Sequence, residues 1–193
     1  MEQVLGKKIG FNPRENKYSP KKMNVLFLTM LDNMDINRRG IYNDVMRRFR
    51  NDGHKVYIVC TVERKMGQKT YVSKDEDVKI LHVRTLNLQK TNIVEKGMGQ
   101  LSIEMLFKRA IKKHFAGVDF DLILYSTPPI TFPKVIEYAK KVNPKAMSYL
   151  LLKDIFPQNA VDMGMLKTTG VKGLLYKLFR KKEEKLYELS DYI

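Results

Sequence analysis

The chain has 193 residues, of which 44% are hydrophobic and 30% charged, a composition that indicates a globular protein and excludes a disordered one. Its 36 Lys and Arg against 21 Asp and Glu give a net charge of +15, which favours an anionic partner or reflects a lysine-rich solvated surface. Cys60 is the single cysteine, which excludes an internal disulfide and a cysteine-cluster metal site. No apolar run reaches the roughly 20 residues of a membrane span and the N-terminus lacks a secretory signal, so a cytoplasmic location is expected.

The first half of the chain predicts a parallel sheet. Residues 1–22 are polar and basic, and we expect a loosely ordered N-terminal extension before a folded domain over 23–193. The run NVLFLT at 24–29 predicts a strand covered on both faces, followed by a helix over 38–51 and a strand over 55–61. Because strand, helix and strand follow one another within about 40 residues, they form a βαβ unit, whose strands are parallel.

The second half continues this alternation. Six more elements, in the order strand, helix, strand, helix, strand and helix, are predicted over 78–83, 101–115, 121–126, 131–142, 146–152 and 171–189. Residues 63–77 show no clear pattern, and the polar stretch 85–100 predicts a loop because it contains Gly97 and Gly99. Residues 190–193 look like the start of a further strand. The sequence therefore predicts an α/β domain with a mainly parallel sheet.

The stretch LLLKDIFPQNAVDMGML at 150–166 is the main candidate for a site. It begins as an apolar strand, ends that strand in Lys153 and Asp154, and turns at Pro157. Open α/β sheets bind ligands just beyond the carboxyl ends of their strands. Asp154 could accept a hydrogen bond from a sugar hydroxyl or orient a basic group; it could also cap the next helix, and these roles are compatible.

Two other strand ends offer polar groups. No GxGxxG follows the first strand and no Walker motif occurs, which argues against an ordinary NAD-binding domain and a P-loop NTPase. Gly40 instead lies near the N-terminus of the helix predicted over 38–51, where a glycine allows an anion close to the backbone, and Arg38 and Arg39 could hold phosphate. Ser126 and Thr127 present hydroxyls just before two prolines. Ordinary turn and helix-start chemistry would also explain both positions.

The helices predicted over 101–115 and 171–189 carry basic residues beside apolar ones. This pattern is typical of interfacial helices that meet anionic lipid, and also of helices that pack on a sheet with lysines in solvent, as we expect for most of each apolar face. The candidate membrane-facing residues are Lys108, Arg109, Lys112, Lys113, Arg180, Lys181 and Lys182. No nucleic-acid-binding motif accompanies the charge, so nucleic acid is not expected as a partner. The three histidines are scattered and suggest no metal site.

Five motifs occur in a characteristic order: NVLFLT, RRGIYNDVMRRFRNDGHKVYIV, DFDLILYSTPP, LLLKDIFPQNAVDMGML and KKEEKLYELSDYI. Together they resemble the N-terminal domain of GT-B glycosyltransferases, specifically the retaining enzymes of glycosyltransferase family 4 that build capsule, O-antigen and other surface polysaccharides. The resemblance covers 23–193. It implies a Rossmann-like, three-layer α/β/α domain on the acceptor side of the active-site cleft. It also implies that a C-terminal domain, which binds the nucleotide-sugar, is missing and that this chain alone is inactive.

The same resemblance implies site residues and partners. Gly40 matches the glycine region that approaches the donor phosphates or the acceptor, and Asp154 matches a polar residue at the edge of the cleft. Many relatives have a glycine pair and a histidine where this chain has Arg39-Gly40 and Lys153. The family implies no cofactor, no metal ion, and a glycan or polyprenyl-diphosphate-linked acceptor, which fits a cytoplasmic protein peripheral on the inner face of the cell membrane.

Two other interpretations stay open. The chain could be a non-catalytic Rossmann-like domain that binds an anionic ligand, or a basic protein that binds nucleic acid or membrane without chemistry.

Overall fold

A six-stranded sheet forms the centre of the computed structural model, which describes residues 21–87, 93–127 and 130–193. The strands are β1 (Asn24–Asp32), β2 (Lys55–Glu63), β3 (Tyr71–Asp75), β4 (Val78–Thr85), β5 (Leu122–Thr127) and β6 (Met147–Leu152). Their order is β3-β4-β2-β1-β5-β6, and each neighbouring pair is parallel except β3 with β4. The helices are α1 (Ile41–Asn51), α2 (Ile93–His114), α3 (Pro133–Val142), α4 (Gln158–Asp162) and α5 (Gly170–Leu189). The predicted α/β fold with a mainly parallel sheet is confirmed.

Helices cover both faces of this sheet. On one face, Phe27 of β1 belongs to the same buried cluster as Met46 of α1. On the other face, Leu28 belongs to a cluster with Phe107 of α2 and Leu186 of α5, and α3 contributes to it as well. Successive residues of a strand point to opposite faces, so the continuous apolar run of β1 is buried on both sides. The result is a three-layer, Rossmann-like α/β/α arrangement.

The strand order reverses beside β1. From β1 the chain crosses through α1 to β2 on one side, whereas β5 lies on the other side of β1 and leads through α3 to β6. In open α/β sheets, ligands bind at the carboxyl ends of the strands at such a switch point. The segments that follow β1, β5 and β6 are therefore where a site is expected.

The residues after α5, which were predicted to enter a further strand, lie beside β6. Tyr192 forms a parallel bridge with Tyr149. Just before it, Asp191 accepts hydrogen bonds from the Ser148 backbone N–H at 2.8 Å and from Lys140 Nζ at 2.9 Å. Burial alone would raise the pKa of Asp191, but the hydrogen bonds from Lys140 and Ser148 outweigh this effect and hold it below its usual value. These bonds fix the chain as it leaves α5.

Two elements differ from the prediction. Strand β3 was missed because its side chains are only partly buried, so its sequence contains no apolar run. Helix α2 begins at Ile93, so the loop predicted over 85–100 was wrong for 93–100. Gly97 and Gly99 have low intrinsic helix propensity, which tertiary context can override.

Helix α5 packs on the sheet only through part of its predicted apolar face. Leu186 is buried, whereas Leu174, Leu175 and Leu178 are exposed, contrary to the expected packing. Two other predictions cannot be compared with the fold. Residues 1–20 of the predicted extension, and the two prolines at 128 and 129, lie outside the described residues.

Candidate functional site

Lys153 and the start of α1 meet at the carboxyl edge of the sheet. Lys153 Nζ lies 4.0 Å from the ring centroid of Tyr42, the second residue of α1. Tyr42 in turn packs against Phe27 of β1, with ring centroids 5.2 Å apart. Lys153 follows β6 on the face that carries Leu151, which packs on the same side of the sheet as α1. The fold therefore brings Lys153 next to the helix that Gly40 precedes.

Helix α1 begins without a side-chain cap. Gly40 is its N-cap residue, in an extended conformation with φ 165° and ψ 150°, and no side chain among the described residues bonds to the first-turn amides. A Cβ built at Gly40 would meet only the Asn43 side chain, at 3.8 Å, which is an ordinary contact. Neither backbone conformation nor packing thus demands glycine here. Free amides at a helix start, with the positive end of the helix dipole, form a natural site for an anion.

The loop before Gly40 is held in place by side chains of α1. Arg47 Nη1 donates to the backbone oxygens of Ile36 at 2.6 Å and Arg38 at 2.7 Å. Asn43, which is buried, donates through Nδ2 to the Asp35 oxygen at 2.6 Å. The loop conformation is therefore set by the helix that follows it, and not by the loop sequence alone.

The two arginines of this loop differ in their partners. Arg38 Nε lies 3.5 Å from Asp35 Oδ2, and both side chains are largely exposed, so this ion pair is weak. Arg39 is exposed and forms no ion pair with another described residue. Arg39 is thus free to bind an anion in front of α1, and Arg38 could join it at little cost.

Three buried oxygens near this edge have no hydrogen-bond partner among the described residues. They are Oγ1 of Thr85 at the end of β4, Oγ1 of Thr127 at the end of β5, and Oδ1 of Asn159 in α4. A buried polar atom without a partner costs about 1–3 kcal/mol, and in native proteins such atoms often mark functional sites. Each of the three lies beyond or at the carboxyl end of a parallel strand, where a ligand is expected.

The structure separates the two candidate hydroxyls of β5. Ser126 and Thr127 are both buried, but they are consecutive residues of a strand and so point to opposite faces. Ser126 lies on the α1 side with Lys153, and Thr127 lies on the side of α2 and α3. The two hydroxyls therefore cannot contact the same atom of a ligand from one face.

Asp154 does not cap the helix that follows it. The N-cap residue of α4 is Pro157, and no side chain in the described part of the chain caps this helix. Asp154 is exposed, and no hydrogen bond or ion pair joins its carboxylate to another described residue. The proposed capping role is therefore wrong, and the carboxylate is open to a ligand next to Lys153.

The basic side chains of α2 and α5 divide into exposed and paired groups. Arg109, Lys112 and Lys113 are exposed on α2, as is Lys108, whose Nζ lies 5.5 Å from the Tyr138 ring centroid. On α5, by contrast, Lys182 Nζ lies 3.2 Å from the buried carboxylate of Glu104.

Arg180 also pairs with a buried carboxylate, that of Glu183. Lys181 alone of the three predicted residues on α5 is exposed without an ion pair among the described residues. The membrane-facing role of Arg180, Lys181 and Lys182 stays a prediction, and Arg180 and Lys182 also pair with carboxylates of the domain.

Cys60 and His82 form a buried pair on the α1 side of the sheet. Cys60 Sγ lies 3.4 Å from His82 Nδ1, and His82 Nε2 lies 2.9 Å from Ser73 Oγ. Burial raises the pKa of Cys60 to about 12 and lowers that of His82. A buried thiol with a raised pKa carries little thiolate at neutral pH, which favours a packing role for Cys60. Among the described residues, no cluster of three His, Cys, Asp or Glu could hold a metal ion.

The strand order, the three layers and the polar carboxyl edge define a Rossmann-like domain. The sequence matches no protein-family model and no curated protein. Among solved structures, the apo structure of OtsA matches with a TM-score of 0.53 and 10% identity, covering 86% of this chain and 38% of that chain. The α,α-trehalose-phosphate synthase (UDP-forming) from Burkholderia vietnamiensis matches with a TM-score of 0.51 and 12% identity, and the match covers 88% of this chain and 38% of the synthase.

These two similar proteins are GT-B glycosyltransferases, and the chain therefore has the fold of a GT-B glycosyltransferase domain. At 10% and 12% identity, the similarity concerns the fold and not the substrate. The chain spans 38% of the length of each of these proteins.

Proposed function

We propose that the chain is the acceptor-side domain of a retaining, nucleotide-sugar-dependent glycosyltransferase of family 4 that acts in surface polysaccharide synthesis. The GT-B fold supports the reaction class, and the five sequence motifs support the family. The observation that carries the proposal is the contact of Lys153 with Tyr42. This contact places Lys153 beside the start of α1, which has no side-chain cap among the described residues and directly follows Arg38, Arg39 and Gly40. The start of α1 lies at the edge of the sheet where α/β proteins bind their ligands.

In the proposed site, phosphate groups of the donor or of a diphosphate-linked acceptor bind in front of α1. The first-turn amides supply backbone donors, and Arg39 and Lys153 supply charge-assisted hydrogen bonds. Gly40 leaves room for the phosphate to approach the backbone. Asp154 accepts a hydrogen bond from a sugar hydroxyl, and the unpartnered hydroxyl of Thr127 offers a further contact deeper at the edge.

The complete enzyme is proposed to have a second domain. The chain spans 38% of the length of the similar structures, one of which is a UDP-forming synthase. Residues 23–193 would then form the acceptor-side domain, preceded by an extension over 1–22, and a C-terminal domain would bind the nucleotide-sugar. Without that domain we expect no transfer.

The proposed acceptor is a glycan or a polyprenyl-diphosphate-linked sugar. The net charge of +15 supports an anionic acceptor and an anionic surface nearby. We therefore propose a cytoplasmic enzyme that is peripheral on the inner face of the cell membrane, with no nucleic-acid partner. As in the family it resembles, transfer is expected to need no cofactor and no metal ion, which an assay with and without a chelator would test.

An alternative is a non-catalytic domain that binds an anionic ligand. The start of α1, beside Arg39 and Lys153, favours this alternative. These groups can bind an anion whether or not it carries a sugar. The two functions differ in selectivity. A domain for an anion alone binds inorganic diphosphate as well as a diphosphate-linked sugar, whereas an acceptor domain prefers the latter.

The test is a binding titration with a short-chain, water-soluble prenyl-diphosphate sugar and with inorganic diphosphate. We expect tighter binding of the sugar conjugate, and Lys153→Ala should weaken it about tenfold because one charge-assisted contact is lost. Lys141→Ala is the matched control, since Lys141 is an exposed lysine of α3. Equal binding of the two ligands favours the anion-binding domain, and an unchanged affinity in Lys153→Ala contradicts both functions at this site.

The encoding gene provides a second test. A second α/β domain with paired glutamates, encoded after Ile193, supports the transferase. The longer protein should transfer a labelled sugar from a nucleotide donor to the lipid-linked acceptor, and its Asp154→Ala variant should be impaired. Normal transfer by Asp154→Ala removes this residue from the site.

A further inference from the structure

Helix α5 exposes an apolar surface in its first half. Leu174, Leu175 and Leu178 are 68%, 41% and 47% exposed. Single exposed leucines are normal, but residues three and four apart on a helix are neighbours, so Leu178 adjoins both Leu175 and Leu174 and the three form one continuous apolar patch. The segment before α5 exposes Met163 and Met165 as well. We call the three leucines, together with Lys177 and Lys181, the α5 patch.

Packing on the opposite side of α5 holds the patch outward. A Cβ at Gly173 would lie 2.5 Å from the Thr168 backbone oxygen, so this position admits only glycine. Tyr176 donates through its hydroxyl to Gln158 Oε1 at 3.1 Å, and the Phe179 ring lies 5.3 Å from that of Phe156. The helix therefore cannot rotate to bury the leucines without breaking these contacts.

The charged residues in the first half of α5 and in the segment before it are of one sign. Residues 163–182 contain six Lys or Arg and no Asp or Glu. Lys177 and Lys181 are exposed and form no ion pair with another described residue. One turn beyond Lys181, Lys185 Nζ lies 3.2 Å from a carboxylate oxygen of Glu188 and 3.8 Å from one of Glu137. The lysines without a described ion pair, Lys177 and Lys181, are therefore those on the stretch of α5 that exposes the leucines.

We propose that the α5 patch docks the domain on an anionic lipid bilayer. The leucines enter the boundary between headgroups and acyl chains, and Lys177 and Lys181 contact lipid phosphates beside them. Exposed lysines beside an apolar centre are complementary to such a surface. Beyond Leu178 the surface carries both signs of charge, with Glu184 and Glu188 near Lys181 and Lys185. Among the described residues, no helix is long and apolar enough to cross a membrane, so the contact is interfacial. This inference specifies the peripheral placement proposed above and does not require sugar transfer.

The test is co-sedimentation of the protein with vesicles of phosphatidylcholine alone and with about one-third phosphatidylglycerol. We expect binding to the anionic vesicles that is lost at high salt. The Leu174→Ser/Leu178→Ser double variant should reduce the partition coefficient at least about tenfold, because two apolar side chains no longer enter the bilayer. Lys177→Glu/Lys181→Glu should reduce it at least about tenfold as well.

Matched controls lie on α3. Val142 is an exposed apolar residue and Lys141 an exposed lysine, so Val142→Ser and Lys141→Glu make the same kinds of change elsewhere and should leave binding unchanged. The substituted leucines are exposed, and unchanged circular dichroism would verify that the variants fold. Equal loss in the α3 variants overturns the proposal, because general charge would then explain binding.

Two further outcomes also overturn it. One is that wild-type protein does not bind anionic vesicles, or that the leucine variant binds as wild type. The other is a concentration-dependent dimer in sedimentation that Leu174→Ser/Leu178→Ser abolishes, since the patch would then join two copies of the chain. The vesicles contain no polyprenyl lipid, so failure of acceptor binding leaves this test unaffected, and failure here leaves the acceptor titration unaffected.

Discussion

The two edges of the sheet differ in how their polar groups are satisfied. At the amino edge, Asn24 N–H donates to Asp121 Oδ2 at 2.9 Å, Met23 N–H donates to His54 Nδ1 at 3.1 Å, and Phe120 N–H donates to Asn143 Oδ1 at 2.8 Å. At the carboxyl edge, three buried side-chain oxygens have no described partner, and Arg39, Lys153 and Asp154 are exposed.

From this difference we expect the amino edge to contribute mainly to stability and the carboxyl edge mainly to ligand binding. Side chains that satisfy buried backbone groups stabilise the fold, whereas unpaired groups gathered at one edge cost stability and persist at sites that bind something. Substitutions at the amino edge should therefore change the free energy of unfolding, and those at the carboxyl edge should change ligand affinity.

The largest effect is expected for Asn143→Ala at the amino edge. Asn143 is buried; it accepts from Phe120 N–H and donates through Nδ2 to the Ala139 oxygen at 2.9 Å. Its removal leaves a buried N–H unpaired, which should lower the free energy of unfolding by about 2 kcal/mol. Thermal unfolding should show a Tm lower by about 4–8 °C. A Tm equal to that of the wild type would mean that water replaces the hydrogen bond from Phe120 N–H, and that the amino edge does not depend on side-chain partners for its stability.

The next effect depends on pH. Asp191→Asn removes the charge that Lys140 and the Ser148 N–H stabilise, and we expect a loss of about 1 kcal/mol at neutral pH. The folded-state pKa of Asp191 is lowered, so its contribution is complete above the unfolded-state pKa of about 3.9 and is lost as pH falls through the lower folded value. Urea unfolding at pH 7 and near pH 3 measures this difference. If Asp191→Asn lowers the free energy of unfolding as much near pH 3 as at pH 7, the charge of Asp191 does not stabilise the fold.

A third prediction has the opposite sign. Thr127→Val replaces a buried hydroxyl without a described partner by a methyl group of similar shape, and should raise the free energy of unfolding by about 1 kcal/mol. Thr61 is the matched control, since it is equally buried but donates to the Met30 and Leu31 oxygens. Thr61→Val should destabilise the protein. If both variants lose stability, the hydroxyl of Thr127 has a structural role and the contrast between the edges weakens.

Most of the helices and strands could be predicted from local sequence, and the two elements that were predicted wrongly have identifiable local causes. Continuous apolar runs predict buried parallel strands because helices cover both faces of such sheets. β3 has no such run, since it pairs at the edge of the sheet with half-exposed side chains. The start of α2 was missed because Gly97 and Gly99 disfavour helix in isolation.

The site was predictable only in part. Chain order alone indicates that the residues after β1, β5 and β6 meet at one edge. The contact of Lys153 with Tyr42, and the lack of a described partner for Asn159 Oδ1, depend on distances between segments far apart in sequence. In α5, helical spacing identifies the leucines as one face, but whether that face is covered depends on what packs beside it.

The smallest effect on stability, and the sharpest separation of the two edges, is expected for Gly40→Ser. Serine is a good N-cap, so its hydroxyl should bond to a first-turn amide of α1 and leave stability unchanged or raised by a few tenths of a kcal/mol. The same hydroxyl occupies the amides that the proposed phosphate needs, so affinity for the prenyl-diphosphate sugar should fall severalfold. Unfolding and ligand titration on one preparation measure both quantities. Unchanged affinity would exclude the start of α1 as the phosphate site, whereas lost stability would mean that glycine is required by the fold.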